Sequence, residues 1–280
     1  MLEIVWEALL DTARLLPFLY LTYLAMEALE HRLSVRTGTI LRRAGRLGPL
    51  WGGLLGAVPQ CGFSAAASSL YAGRVVSLGT LLAVFLSTSD EMLPILLSRG
   101  APAGLIFRIL GLKVLIGAAA GLLADGVCRL LGWSRGGSVH QLCQDAGCRC
   151  GHGNIFGSAL RHTLSITAFL LPLTLALNAA LDWIGEDALT SLLLGRPVLG
   201  VFLAGLVGLI PNCAASVAIT TLYLDGLLSF GGMMAGLLVG AGVGLLVLAR
   251  VNRRPKENLG IVLLLYTTGV VCGGLLELLG

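Results

Sequence analysis

The sequence predicts an all-α polytopic membrane protein built as two inverted repeats, each with three transmembrane helices and a broken, re-entrant helical hairpin. Three observations predict it. Hydrophobic residues make up 56% and charged residues 12% of the 280, about half the charge of a usual soluble domain, and glycine, at 39, is roughly double its average usage. Several apolar runs exceed the ~18–20 residues that cross a ~30 Å hydrocarbon core. An interrupted apolar stretch occurs twice at a constant offset of 152 residues: Pro59-Gln60-Cys61-Gly62-Phe63-Ser64 running on to Leu70-Tyr71, and Pro211-Asn212-Cys213-Ala214-Ala215-Ser216 running on to Leu222-Tyr223. Ser77 with Ser229 and Gly79 with Gly231 keep the same register.

Residues 5–30 predict a first helix carrying Pro17, Tyr23 and Glu27. Met1-Leu2-Glu3 lacks the basic flank and small-residue cleavage site of a signal peptide, so this helix is expected to be retained. Residues 31–47 form a loop with Arg32, Arg36, Arg42, Arg43 and Arg46. The broken segment follows as pieces 48–58 and 60–72, each reaching only ~16–20 Å, too short to span alone. Residues 75–98 and 102–131 read as full spans, and 132–157 as a Gly-rich, Cys-rich polar linker. The second half repeats the plan: a span at 158–183, an acidic loop with Glu186 and Asp187, a broken segment at 197–210 and 212–224, and spans at 228–249 and 259–279. Allowing three residues, Leu15-Leu16-Pro17 aligns with Leu170-Leu171-Pro172, and Glu27 with Asp182. The chain thus divides into an N-terminal repeat (1–131), a cytoplasmic linker (132–157) and a C-terminal repeat (158–280).

Loop charge decides whether the broken segments cross or turn back. If they turn back, an outside N-terminus puts the 31–47 loop, Arg74, the linker edged by Arg129 and Arg135, and the Arg250, Arg253, Arg254, Lys256 cluster inside. The acidic loop, Asp225 and Glu277 then fall outside. If they cross, Arg129 and Arg135 move outside and the acidic loop moves in. The excess of cationic residues in cytoplasmic loops favours turning back, and hence inverted halves. A hydropathy count that scores each half-piece as a span would give ten.

Broken segments are tolerated in a membrane only where they line a cavity or are buried in protein, which makes the two breaks candidate substrate sites. Gln60 with Cys61 and Asn212 with Cys213 sit at the tips; Ser64 and Ser216, one turn on, add hydroxyl oxygens. Half-helix C-termini suit a cation and half-helix N-termini an anion, so the tips alone leave the sign of the substrate open. Each tip residue also has a plain structural reading as a cap on the break. Asp90 and Glu91, in Ser87-Thr88-Ser89-Asp90-Glu91-Met92 ahead of Pro94, lie within a span, where a carboxylate costs ~2.5–3.5 kcal/mol. They point about 100° apart on a helix, and so share a cavity only if the backbone opens there. The functional reading is a cation or proton site; the alternative is an interfacial pair reaching the outer surface. The second half has Gly242 and Val243 at these positions, so the carboxylates are an asymmetric addition. Lys113, near mid-membrane, reads either as the partner of a buried carboxylate such as Glu27, Asp90 or Asp182, or as a movable counter-charge. His140, Cys143, Cys148, Cys150 and His152 in the linker suit a soft or borderline metal such as zinc, Cu(I) or arsenic, although the spacing is not that of a zinc finger; the alternative is a flexible Cys-containing linker with no resident metal.

No nucleophile elbow, phosphate-binding loop or dinucleotide turn occurs, so no enzymatic activity, resident cofactor or nucleotide-driven step is expected, and a net charge of +4 spread over the loops is no nucleic-acid footprint. Pro59 to Ser64, Thr88-Ser89-Asp90-Glu91, Ile210 to Val217 and Arg250-Val251-Asn252 together resemble the bacterial ten-transmembrane heavy-metal exporter family, over essentially the whole chain. Members of that family are labelled either arsenic efflux protein or manganese transporter. The resemblance implies efflux at the bacterial inner membrane, with lipid and a small inorganic ion as partners, and leaves association into a homo-oligomer open.

Between those labels the residues choose. Mn2+ prefers carboxylate, amide and hydroxyl oxygens, which Asp90, Glu91, Gln60, Asn212, Ser64 and Ser216 supply. Trivalent arsenic prefers sulfur, for which Cys61 and Cys213 are the two tip thiols. The expectation is a secondary transporter exporting a divalent metal, Mn2+ first, by proton antiport through Asp90 or Glu91 with alternating access. The alternatives are an exporter of an arsenical or other anion, using positive helix ends and Lys113, and a metal-responsive membrane sensor.

Overall fold

The computed structural model describes residues 47–59, 61–89, 92–131, 155–184 and 197–279, with positions 16–17, 20–21 and 23–24 of an N-terminal helical stretch. Among the described residues there are helices and no strand: α1 (Gly48–Gly56), α2 (Cys61–Ala72), α3 (Leu78–Ser87), α4 (Met92–Ser98), α5 (Ala103–Leu130), α6 (Ile155–Ile184), α7 (Pro197–Gly208), α8 (Cys213–Leu224), α9 (Phe230–Val239), α10 (Gly244–Val251) and α11 (Pro255–Leu279). Among the described residues, four stretches are long and apolar enough to cross a membrane: Leu78–Ser98, Ala103–Leu130, Phe230–Val251 and Pro255–Leu279. The chain is a multi-pass membrane protein by this measure. Of the expectations above, the rest of the first helix, including Glu27, residues 31–46 of the first loop, Gln60, Asp90, Glu91, the linker cysteines and histidines, and the acidic loop lie outside the described residues, as do the side chains of Cys61 and Asp182.

Local chemistry sets the helix ends. Ser77 caps α3 by accepting from the Thr80 amide at 3.1 Å, and Ser229, its counterpart, caps α9 by accepting from the Gly232 amide at 3.1 Å. Such caps satisfy amides that the first turn leaves without partners. Arg74 (φ 59°) and Gly226 (φ 74°), also in register, close the turns after α2 and α8. α1 ends before Pro59, which has no amide proton to extend it.

Packing repeats as the sequence does. α1 lies against α3 and α5; α7 lies against α9 and α11. The α3–α5 crossing is so close that a Cβ on Gly121 would stand 2.4 Å from the Gly79 carbonyl oxygen; at the α9–α11 crossing a Cβ on Gly273 would stand 2.7 Å from the Gly231 carbonyl oxygen. The halves also exchange contacts. α2 packs on α10, with Ser64 against Gly244, while α8 packs on α4. α3 and α9 form the centre of the core, with Leu81, Phe85, Leu86, Met233 and Leu238 fully enclosed. α5 and α11 turn Phe107, Leu115, Leu263 and Val271 outward, an apolar surface suited to lipid. The N-terminal stretch joins this body through Tyr23, whose hydroxyl lies 3.0 Å from that of Ser69.

Two expected spans are not continuous. Residues 75–98 open between α3 and α4, where the Ser87 and Thr88 hydroxyls donate back to α3 carbonyls and compete with the helix ladder. Residues 228–249 open between α9 and α10 at Gly240–Val243. There Gly240-Ala241-Gly242 offers little side chain to hold a helix, and Gly242 takes φ 53°. Smaller corrections fall at helix starts. α6 begins at Ile155, inside the expected 132–157 linker, as Ile155 and Phe156 extend the apolar run. α11 begins at Pro255 rather than 259, proline being suited to the first helical turn.

Candidate functional site

The breaks come together in pairs. In the first half, the Ser89 hydroxyl donates to the Ala57 carbonyl at 2.7 Å, which ties the opening between α3 and α4 to the tip between α1 and α2. Ser89 and Met92 are both buried there. In the second half, Asn212, Ser216, Gly208, Gly236, Gly240 and Gly242 line a small cleft between the α7–α8 tip and the α9–α10 opening. At the 152-residue offset, Gly240 and Gly242 correspond to Thr88 and Asp90. Glycine thus lines the cleft of the second half at positions where the first-half sequence has threonine and aspartate.

Of the expected site residues, Asn212 caps α8: its side-chain oxygen accepts from the Ala214 amide at 3.3 Å. The Ser216 hydroxyl donates to the Cys213 carbonyl at 2.8 Å, and Cys213 is half-buried in the first turn of α8. Ser64 is fully buried at the α2–α10 contact. Lys113, also fully buried, donates to the main-chain oxygens of Thr88 and of Leu237, the latter at 2.6 Å. It thereby joins the end of α3 to the last turn of α9.

Sequence reasoning missed two paired features. Asp125, near the end of α5, accepts from the Gly79 amide at 2.8 Å and the Ser77 hydroxyl at 2.6 Å, while Glu277, near the end of α11, accepts from the Gly231 amide at 3.1 Å. Carboxylates at helix N-termini are favoured by the helix dipole, and these two tie the last helix of each half to the start of its buried partner. Their separation, 152 residues, was the available signal. The other feature joins the halves at opposite ends. Glu257 accepts from Arg74 at 2.8 and 3.2 Å and from the Tyr71 hydroxyl at 2.5 Å; both ionic side chains are 15% exposed. This hydrogen bond raises the Arg74 guanidinium further above its ordinary value. The other link, Arg99 to Asp225 at 3.5 Å, is 54% and 44% exposed.

Residues 154–280 match the model of a family described as "Putative, 10TM heavy-metal exporter", the family that the motifs resemble. No curated protein and no solved structure matches the chain.

Proposed function

We propose, from that family match and the paired breaks, that the chain is a secondary active transporter exporting a divalent metal ion, Mn2+ first, by proton antiport through Asp90 or Glu91. The observation that carries the reading is the meeting of helix ends at the centre of the fold. α3 and α9 both stop there, bridged by Lys113 through the Thr88 and Leu237 carbonyls, with the end of α9 beside the tip that holds Asn212 and Ser216. Negative helix ends, amide and hydroxyl oxygens and a pair of acidic residues suit a hard divalent cation better than an anion.

Re-entrant hairpins and inverted repeats belong to this proposal. Support for the first is that α1 starts beside the start of α3, with Gly48 against Thr80, while only residues 73–77 join α2 to α3. Such a segment leaves on the side where it entered. Support for the second is that Arg74, at the start of α3, meets Glu257 at the start of α11, whereas Glu277 at the far end of α11 meets Gly231 at the start of α9. α3 and α9 then begin on opposite sides. With Arg74, Arg254 and Lys256 on one face, that face is the cytoplasmic one of a bacterial inner membrane, shared with the 132–157 linker and its Cys143, Cys148, Cys150 and His152. Alternating access follows from rocking one half against the other about the centre.

A second reading, export of an arsenical, rests on Cys213 beside the cleft, with Cys61 at the matching position. Cells expressing the chain, challenged with Mn2+, arsenite and phosphate separately, test the choice. Asp90→Asn abolishes Mn2+ efflux and spares arsenite efflux under the first reading; the Cys61→Ser, Cys213→Ser pair does the reverse under the second. Unchanged contents of all three ions would point to a sensor.

A further inference from the structure

Lys113 is one of two lysines in the chain; the other, Lys256, is exposed in the first turn of α11. The Lys113 ammonium reaches one main-chain oxygen from each half, Thr88 O where α3 stops and Leu237 O in the last turn of α9. In an unbroken helix the Leu237 carbonyl would receive the amide of Ala241, which here turns to Val239 O at 2.8 Å. Each helix C-terminus carries about half a negative charge. Two of them converging from opposite halves favour a cation and disfavour an anion. The position matching Lys113 on α11 is Leu265, fully buried, so the chain places one ammonium at a centre that two repeats share.

Building on the reading of the chain as a divalent-cation exporter, we infer that Lys113 is a tethered competitor for the transported ion. Its ammonium holds the Thr88 and Leu237 oxygens in the metal-free state and gives them up when the ion arrives. The metal-free centre is then electrostatically satisfied and can change the side to which it opens. Without the ammonium, the carbonyl oxygens would hold the metal and resist release.

Equilibrium binding of MnCl2 to the purified full-length chain tests this in wild type, Lys113→Met and Lys113→Arg. The Met variant binds about tenfold or more tightly than wild type, the scale of one lost competing contact, and the Arg variant no tighter than wild type. A Met variant that binds equally or more weakly overturns the inference. If the Met variant does not fold, wild type answers by itself, because two lysines give a self-referenced labelling assay. MnCl2 raises acetylation of Lys113 relative to Lys256 several-fold, read by mass spectrometry; an unchanged or lowered ratio overturns the inference. A wild type that binds no Mn2+ yet transports arsenite or phosphate removes the functional reading and the competitor together. A wild type that binds Mn2+ while the Met variant gains nothing removes the competitor alone.

Discussion

The first and second halves share their packing and differ at their centres. Around α3 and around α9, serine caps, glycine crossings, left-handed turns and carboxylate tethers recur at the 152-residue offset. At the breaks the likeness stops: Thr88, Asp90 and Lys113 stand where the other half has Gly240, Gly242 and Leu265. Each half must hold its own broken helices, so the packing devices are duplicated. Ionisable groups are costly in hydrocarbon, at ~2.5–3.5 kcal/mol for a central carboxylate, so packing alone gives no reason to duplicate them.

The shared packing gives the largest expected effects. Gly121→Val and its counterpart Gly273→Val drive a branched side chain into a facing carbonyl and cost about 3 kcal/mol or more each, seen as loss of monodisperse protein on size exclusion. Gly111→Val and Gly274→Val, where a Cβ meets nothing within 4 Å, leave the elution profile unchanged and serve as matched controls. If Gly121→Val were as well tolerated as Gly111→Val, the close α3–α5 crossing would be wrong.

The carboxylate tethers come next. Asp125→Asn loses charge-assisted bonds to Ser77 and Gly79 and lowers stability by about 2 kcal/mol; Glu277→Gln, with its one 3.1 Å bond to Gly231, costs about half as much. Thermal unfolding in detergent reads both. Equal costs would mean that the tethers are more alike than their geometry.

The links between halves separate least. Arg74→Gln breaks a sheltered network shared with Tyr71 and Glu257 and costs about 1 kcal/mol, whereas Arg99→Gln removes an exposed pair and falls within a few tenths of zero. The same unfolding assay ranks them, and a larger loss for Arg99→Gln would reverse the ordering of the two ends.

The sequence made the tips legible, because proline followed by an amide residue interrupts an apolar run in a way that side-chain chemistry announces. The opening between α3 and α4 was legible as a condition, since Asp90 and Glu91 share a cavity only if the helix parts there. The opening between α9 and α10 was not: glycine within a membrane helix reads equally as close packing, and Gly240-Ala241-Gly242 passes for a crossing point. Asp125 and Glu277 look like interfacial charges until their common offset is noticed. Lys113 offered several carboxylates as partners, and these lie outside the described side chains; the acceptors described, the Thr88 and Leu237 main-chain oxygens, leave no mark in a sequence.

The central claim is that a divalent cation passes through the shared centre, driven by a proton gradient. Mn2+ flux into sealed vesicles holding the purified chain, with an imposed proton gradient, tests it most directly. The account predicts flux that collapses with a protonophore and is absent in Asp90→Asn. Vesicles that move arsenite or phosphate while Mn2+ stays put, or a Mn2+ flux that Asp90→Asn leaves intact, would contradict it.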